Sequence, residues 1–197
     1  MQLSVSLSSA RRFIEQTRGV YAASAGMEER IARIKPLLAS LLEDRALKEA
    51  STKWPNLNDW ASERITNLLF YEDADYGFVL NALVKDPHDK TPVHDHGHTW
   101  TLYGVLSGGE TVFRYRRTDD GRSARAALAP VDQREVRPGY IDVVPPFEIH
   151  AELNGNTRTV GLIFRTQRVG TYLQNWYDDH GTVRKHPGPE QVPYDLV

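Results

Sequence analysis

From Ile65 onward the sequence is a series of short apolar runs separated by turn residues, and this pattern most restricts the fold. The runs "NLLFY", "YGFVLNALV", "TWTLYGVL" and "ETVFRYRR" are bounded by "EDAD", "KDPHDK", "SGG" and "TDDG". No long helical pattern lies between them, as it would in parallel βαβ units. The sequence therefore predicts an antiparallel all-β sandwich or barrel.

The first fifty or so residues have helical rather than strand periodicity. Apolar residues from Met27 to Leu42 recur at helical spacing, and Pro36 within them predicts a kink or the start of a new helix. We expect an amphipathic helical layer over one side of the core, with a partner-binding helix as the alternative. The expected organisation is a helical extension over residues 1–58, a barrel over 59–180 and an extended surface tail over 181–197.

Composition removes several classes of function and site. The chain of 197 residues has a formal charge of −2 and a pI near 6.4, so its overall charge provides no attraction to nucleic acid or to an anionic membrane. There is no cysteine, so disulfides and thiolate metal sites are excluded, and any metal is held by His, Asp or Glu. No apolar run spans a bilayer and no export signal is visible, so a cytoplasmic location is expected.

The segment "PVHDHGHTW" has histidines at every second position. On a strand, His94, His96 and His98 would project from one face, because side chains alternate with period two. Two such imidazoles can converge on one cation, although a lone inward histidine is more often a hydrogen-bonded core group. Asp95 is expected at a turn or on the sheet surface. If His96 faces inward, the same alternation places four later residues inward, namely Trp100, Leu102, Gly104 and Leu106.

A second segment, "PGYIDVVPPFEIHAELN", contains Gly139, Pro145, His150 and Asn154. Together with the first segment it resembles the cupins, in which an HxH motif followed about a dozen residues later by glycine is paired with a motif of this second spacing. The resemblance implies an all-β double-stranded β-helix, or jelly-roll barrel, here with an N-terminal helical extension. It also implies a metal site whose ligands are His94, His96 and His150.

Many cupins add a glutamate ligand four or five residues after the second histidine, where this sequence has Trp100 and Thr101. Because that glutamate is missing, the chain resembles one group of cupins in particular, the cysteine and 3-mercaptopropionate dioxygenases. The resemblance implies Fe(II) and the oxidation of a small thiolate to a sulfinate by dioxygen, although imidazole ligands also suit Mn, Ni or Zn. Glu148, two residues before His150, is an alternative fourth ligand. An all-histidine site keeps the full cation charge, which favours an anionic substrate.

The sequence departs from that group after the second motif. Its members carry a Ser-x-His-x-Tyr set, and the aligned positions here hold Gly161, Ile163 and Arg165. We expect Arg165 to recognise a substrate anion through its guanidinium, with a surface salt bridge as the alternative. Tyr103 and His98 are expected as further groups of the catalytic pocket.

Other functions remain compatible with these residues. A three-histidine cupin can act on a small non-thiol substrate by oxidation, isomerisation or hydrolysis, or it can be a metal-containing binding module. Trp100 is a further candidate for the pocket wall, although aromatic residues on strands are more often core. The expected assembly is a monomer or a homodimer.

Overall fold

The computed structural model of the protein describes residues 4–24 and 26–197. Three helices come first, α1 (Ser8–Ala23), α2 (Met27–Leu42) and α3 (Arg45–Ser51), followed by a single 3₁₀ turn at Trp60–Ser62. Helix α2 continues through Pro36, so the proline does not begin a new helix. Within these described residues, no helix is both long and apolar enough to cross a membrane.

The rest of the described chain forms strands. Their bounds are β1 (Thr66–Glu72), β2 (Val79–Lys85), β3 (Val93–His94), β4 (Thr101–Ser107), β5 (Glu110–Arg117), β6 (Leu128–Val136), β7 (Ile141–Val144), β8 (Ile149–Asn154), β9 (Thr159–Arg165), β10 (Gln174–Tyr177), β11 (Val183–His186) and β12 (Glu190–Pro193). The prediction of an all-β domain after a helical extension is confirmed.

The strand order identifies the architecture. One sheet runs β12-β1-β2-β9-β4-β7 and the other runs β11-β10-β3-β8-β5-β6. Among the eight strands β2 to β9, each consecutive pair except β5 and β6 lies in different sheets, giving β2-β9-β4-β7 against β3-β8-β5-β6. This is the order of a double-sheet jelly roll, the fold of the cupins.

The two larger apolar clusters lie on opposite faces of the first sheet. The helices pack on the outer face of the first sheet, where Leu42 approaches Gly104 so closely that an added Cβ would lie 2.7 Å from its Cδ1. Leu102 and Leu106 also face the helices, whereas Tyr103 and Val105 face the barrel interior. The predicted inward register of "TWTLYGVL" is therefore wrong. A turn at residues 97–98 separates β3 from β4, and it breaks the alternation that the prediction extended from His96.

The barrel interior contains a buried ion pair. The Lys85 ammonium contacts the Glu110 carboxylate, and neither side chain is accessible to solvent. Glu110 lies opposite Asn154, four residues along β8 from His150. At about 3.3 Å per residue, the pair therefore lies roughly 13 Å along the strand from that histidine, towards the opposite end of the barrel.

The C-terminal segment is extended, as expected, but it is not a surface tail. β11 pairs with β10, and β12 adds to the first sheet in parallel with β1. Gln191 and Leu196 are buried. The prolines that suggested a loose tail lie between the two strands or at the end of β12, where a missing N–H does not interrupt the pairing.

Removing one member of the buried pair should destabilise the barrel. Glu110→Gln leaves the Lys85 charge without its counterion, so we expect the free energy of unfolding to fall by about 3–5 kcal/mol in urea titrations. A double variant, Lys85→Met with Glu110→Leu, should recover most of that loss because no buried charge remains. If Glu110→Gln were as stable as the double variant, an unpaired Lys85 would not be a costly buried charge.

Candidate metal centre

The three histidines of the two sequence motifs meet inside the barrel. His94 ends β3 and lies directly opposite His150 on β8, while His96 follows in the loop after β3. Nε2 of His94 lies 3.1 Å from Nε2 of His96 and 3.2 Å from Nε2 of His150. Nitrogens that share one cation at about 2.0–2.1 Å lie about 2.9–3.4 Å apart, so the spacing fits a common metal ion.

The hydrogen bond of His94 determines which of its nitrogens can bind a metal. Its Nδ1 lies 2.9 Å from the carbonyl oxygen of Pro92, and a carbonyl can only accept. Nδ1 therefore carries the proton of the neutral ring, and Nε2 presents its lone pair to the other two histidines. These three side chains form a cluster that can hold a metal ion.

Burial keeps the cluster uncharged. Desolvation lowers the pKa of His94, lowers that of His96 well below its usual value and lowers that of His150 to about 3. The nearby Arg165 guanidinium acts in the same direction on all three imidazoles. Because a metal binds the neutral imidazole, the histidines are ready to act as ligands at neutral pH.

Asp95 holds the loop that carries the first two ligands. It is 1% exposed, and its carboxylate accepts hydrogen bonds from the Gly97 and Asn175 backbone N–H groups, the Asn175 side chain and the Tyr177 hydroxyl. Gly97 has φ +57°, and a Cβ there would lie 2.7 Å from the Leu173 carbonyl oxygen. Asp95 is thus at a turn, as expected, but in the interior and not on the sheet surface.

The histidines line a small cavity of about 30 Å³ inside the barrel. Both sheets contribute to its wall, which mixes apolar with polar side chains. The lining residues outside the histidine cluster are Ile65, Asn67, Leu83, Thr91, Thr101, Tyr103, Glu152, Ile163, Arg165, Gln174, Trp176 and Pro189.

Arg165 lies in this cavity and is only 4% exposed. Its Nη1 is 3.5 Å from the Thr101 hydroxyl, and its Nε has no partner among the described residues. The structure describes no carboxylate within 4 Å of this guanidinium. Two other arginines, Arg64 and Arg168, do not line the cavity, because Arg64 is exposed and Arg168 pairs with Glu72 at the surface.

Tyr103 lines the same cavity, and its position explains one departure from the thiol dioxygenase pattern. A Cβ at Gly161 would lie 2.2 Å from the Tyr103 ring. The glycine therefore leaves the room that the ring fills, and a serine at position 161 would displace it. Burial raises the pKa of Tyr103 well above its usual value, so the phenol is a neutral hydrogen-bonding group at the wall.

Sequence reasoning missed Glu152, which also faces the histidines. Its Oε1 lies 3.8 Å from Nε2 of His150, and its Oε2 accepts a 2.6 Å hydrogen bond from the Thr91 hydroxyl. Burial opposes its ionisation, but the neighbouring His150, the Lys85 ammonium and the Thr91 hydrogen bond outweigh this and lower the pKa of Glu152. The signal was available, because a residue two positions after His150 on a strand shares its face.

Three other predicted positions lie elsewhere. His98 is exposed, and its Nε2 lies 3.1 Å from Oε1 of Gln167, so the expectation of a pocket position is wrong. The reason is the turn at residues 97–98, which sends His98 outward. Trp100 packs on the helix-facing core rather than the cavity. Glu148 contacts Arg114 and is not beside the histidines.

Several solved structures are similar to parts of this chain at low sequence identity. No family model matches the sequence. The cupin domain of Schizosaccharomyces pombe Cnp3 is 11% identical over 52% of this chain and 64% of its own, with a TM-score of 0.41. Oxalate oxidase in complex with glycolate is 22% identical over 59% and 54%, with a TM-score of 0.42. A cupin superfamily protein from Desulfitobacterium hafniense is 15% identical over 60% and 87%, with a TM-score of 0.41.

This chain thus spans less than two thirds of Cnp3's cupin structure and of oxalate oxidase. The strand order of the chain itself is that of a jelly roll.

Replacing any one of His94, His96 or His150 by alanine should lower bound metal at least about tenfold, because each removes one of three converging ligands. Metal analysis of purified variants, with circular dichroism to check folding, measures this. His98→Ala is the matched control and should keep full metal content. If the His150 variant bound a full equivalent of metal, the assignment of His150 as the third ligand would be wrong.

Asp95→Asn should lower metal affinity about tenfold while all three histidines remain, because the amide can no longer accept every hydrogen bond that holds the loop. Competition with a chelator measures the affinity. Asp73→Asn is a suitable control, since Asp73 is an equally buried turn carboxylate that contacts Arg18 on α1. Equal loss of affinity in both variants would show a general effect on stability.

Proposed function

We propose that the protein is a metal-dependent dioxygenase, with Fe(II) as its metal, that oxidises a small anionic thiol to a sulfinate. The observation that supports an anionic substrate most directly is the buried Arg165. A buried charge is costly unless it is paired, and among the described side chains no carboxylate lies within salt-bridge distance of this guanidinium. A substrate carboxylate in the cavity would supply the missing partner through two parallel hydrogen bonds.

The histidine cluster supports the metal part of the proposal. Three neutral imidazoles would hold the cation without reducing its charge and would leave it further coordination positions for substrate and dioxygen. Bound Fe(II) would supply the activation of dioxygen beside the substrate sulfur. Both oxygen atoms of dioxygen enter the sulfinate and the sulfur loses four electrons, so the reaction needs no external reductant.

The side chains of the wall have separate tasks in this proposal. Arg165 orients the substrate by its carboxylate, so that the thiol end points to the histidines. Tyr103 presents a neutral phenol that can hydrogen-bond the substrate. Glu152, held by Thr91, places negative charge beside His150, which favours a cation at the cluster. The walls bury the reacting groups and exclude bulk water.

A non-thiol anionic substrate is the second candidate. It is favoured by Gly161 and Ile163, which occupy two positions of the Ser-x-His-x-Tyr set of thiol dioxygenases. The same metal site would then serve oxidation, isomerisation or hydrolysis, and Mn, Ni or Zn would suit the ligands equally. A binding module without turnover would share the site as well.

Oxygen uptake by the iron-loaded protein with small thiol acids tests the proposal. We expect uptake of one dioxygen per sulfinate formed. Arg165→Gln should raise KM about ten- to a hundredfold, which is about 1.5–3 kcal/mol, because the charge-assisted pair is lost, while metal content stays unchanged. Arg168→Gln, at the surface, is the control. No uptake with any small thiol would sink the thiol assignment, and an unaltered KM would remove Arg165 from substrate binding.

A further inference from the structure

Three polar side chains in the cavity wall have hydrogen-bonding groups that the protein does not use. Asn67 and Gln174 are fully buried, and neither atom of either amide has a partner in the part of the chain that the structure describes. The indole Nε1 of buried Trp176 is also without one. All three residues line the cavity that contains the histidines.

These groups lie on both sheets beside the metal ligands. Trp176 is opposite His94 in the pairing of β10 with β3, so their side chains share a face. Gln174 is two residues earlier on β10 and therefore has the same orientation. Asn67 is on β1 in the other sheet. The cavity is thus flanked by an amide on each wall.

The Gln174 amide is also covered by the C-terminal part of the chain. A Cβ at Gly188 would lie 2.7 Å from Nε2 of Gln174, and the next residue, Pro189, lines the cavity. The loop between β11 and β12 therefore closes over this amide. Buried amides in proteins are almost always hydrogen-bonded, so a pair of amides that face a cavity without protein partners indicates a ligand that bonds to them.

We propose that Asn67 and Gln174 form a subsite for a neutral hydrogen-bonding group of the substrate, a carboxamide or a hydroxyl, while the substrate anion lies on Arg165. This inference rests on the anionic substrate proposed above but not on its thiol. An amide offers both donors and an acceptor, which match a group that does the same. Trp176 adds a further donor.

The charge distribution favours a neutral group over an ammonium. Among the described residues that line the cavity, Glu152 is the one carboxylate, and it is held by Thr91 beside His150. The amides therefore lack a counterion for a buried substrate cation. A neutral polar group takes up their hydrogen bonds without adding an uncompensated charge.

Two probes of similar shape test this subsite without thiol chemistry. Succinamate carries a carboxylate and a carboxamide, and 4-methylpentanoate replaces the carboxamide by an isopropyl group. Isothermal titration of the zinc-loaded protein should show succinamate binding at least about tenfold more tightly, because the apolar analogue leaves both amides unpaired. Equal affinity for the two probes, or binding of neither at millimolar concentration, overturns the subsite.

Variants then test whether the preference for succinamate depends on the amides of Asn67 and Gln174. Asn67→Leu and Gln174→Leu should each reduce it to less than about threefold while metal content and circular dichroism stay unchanged. Asn81→Leu is the matched control, because Asn81 is equally buried with an unpartnered amide but lies outside the cavity lining. A preference that survives both cavity variants also overturns the subsite.

The two proposals fail in different ways. If the protein prefers succinamate but oxidises no small thiol, the subsite stands and the thiol dioxygenase assignment is wrong. If thiols are oxidised without any preference between the probes, the dioxygenase assignment stands and the amides are not a substrate subsite. The comparison of probes on the unsubstituted protein decides the subsite even where a variant does not fold.

Discussion

The structure is organised around three imidazoles whose ring nitrogens face one another inside the barrel. His94 is held by the Pro92 carbonyl in the form that turns its lone pair towards His96 and His150. Burial keeps all three rings neutral, so a cation among them, and not protonation, would relieve the repulsion between their lone pairs. Asp95 and Gly97 fix the loop that holds His94 and His96 in this arrangement.

The remaining buried charges differ in whether the protein itself compensates them. Lys85 and Glu110 neutralise each other towards the other end of the barrel, so they act in stability and need no ligand. Glu152 faces the histidines and would balance part of the charge of a cation bound there. Arg165 has no such partner among the described carboxylates. The uncompensated guanidinium and the unused amides of Asn67 and Gln174 line the same cavity.

Much of the site could be predicted from local sequence because the ligands follow strand geometry. The two motifs, with the spacing of His94, His96 and His150, indicated the cluster that the structure forms. Errors arose where a turn interrupted the alternation. The turn at residues 97–98 sends His98 to the surface and reverses the register of Leu102 and Tyr103. Glu152 was missed although it shares the face of His150.

The sequence by itself determined the element types, the absence of cysteine ligands and the histidines available to a metal, since these depend on residue identity and short-range periodicity. Only the tertiary structure decided which polar groups are left without a partner. That property depends on contacts between residues far apart in the chain. Gly161 makes room for Tyr103, and the β11–β12 loop covers Gln174. Among the described residues, no carboxylate lies within salt-bridge distance of the Arg165 guanidinium in the cavity. The burial of a side chain and its hydrogen-bond partners depend on all of its neighbours in space, and the periodicity of one strand does not predict these neighbours.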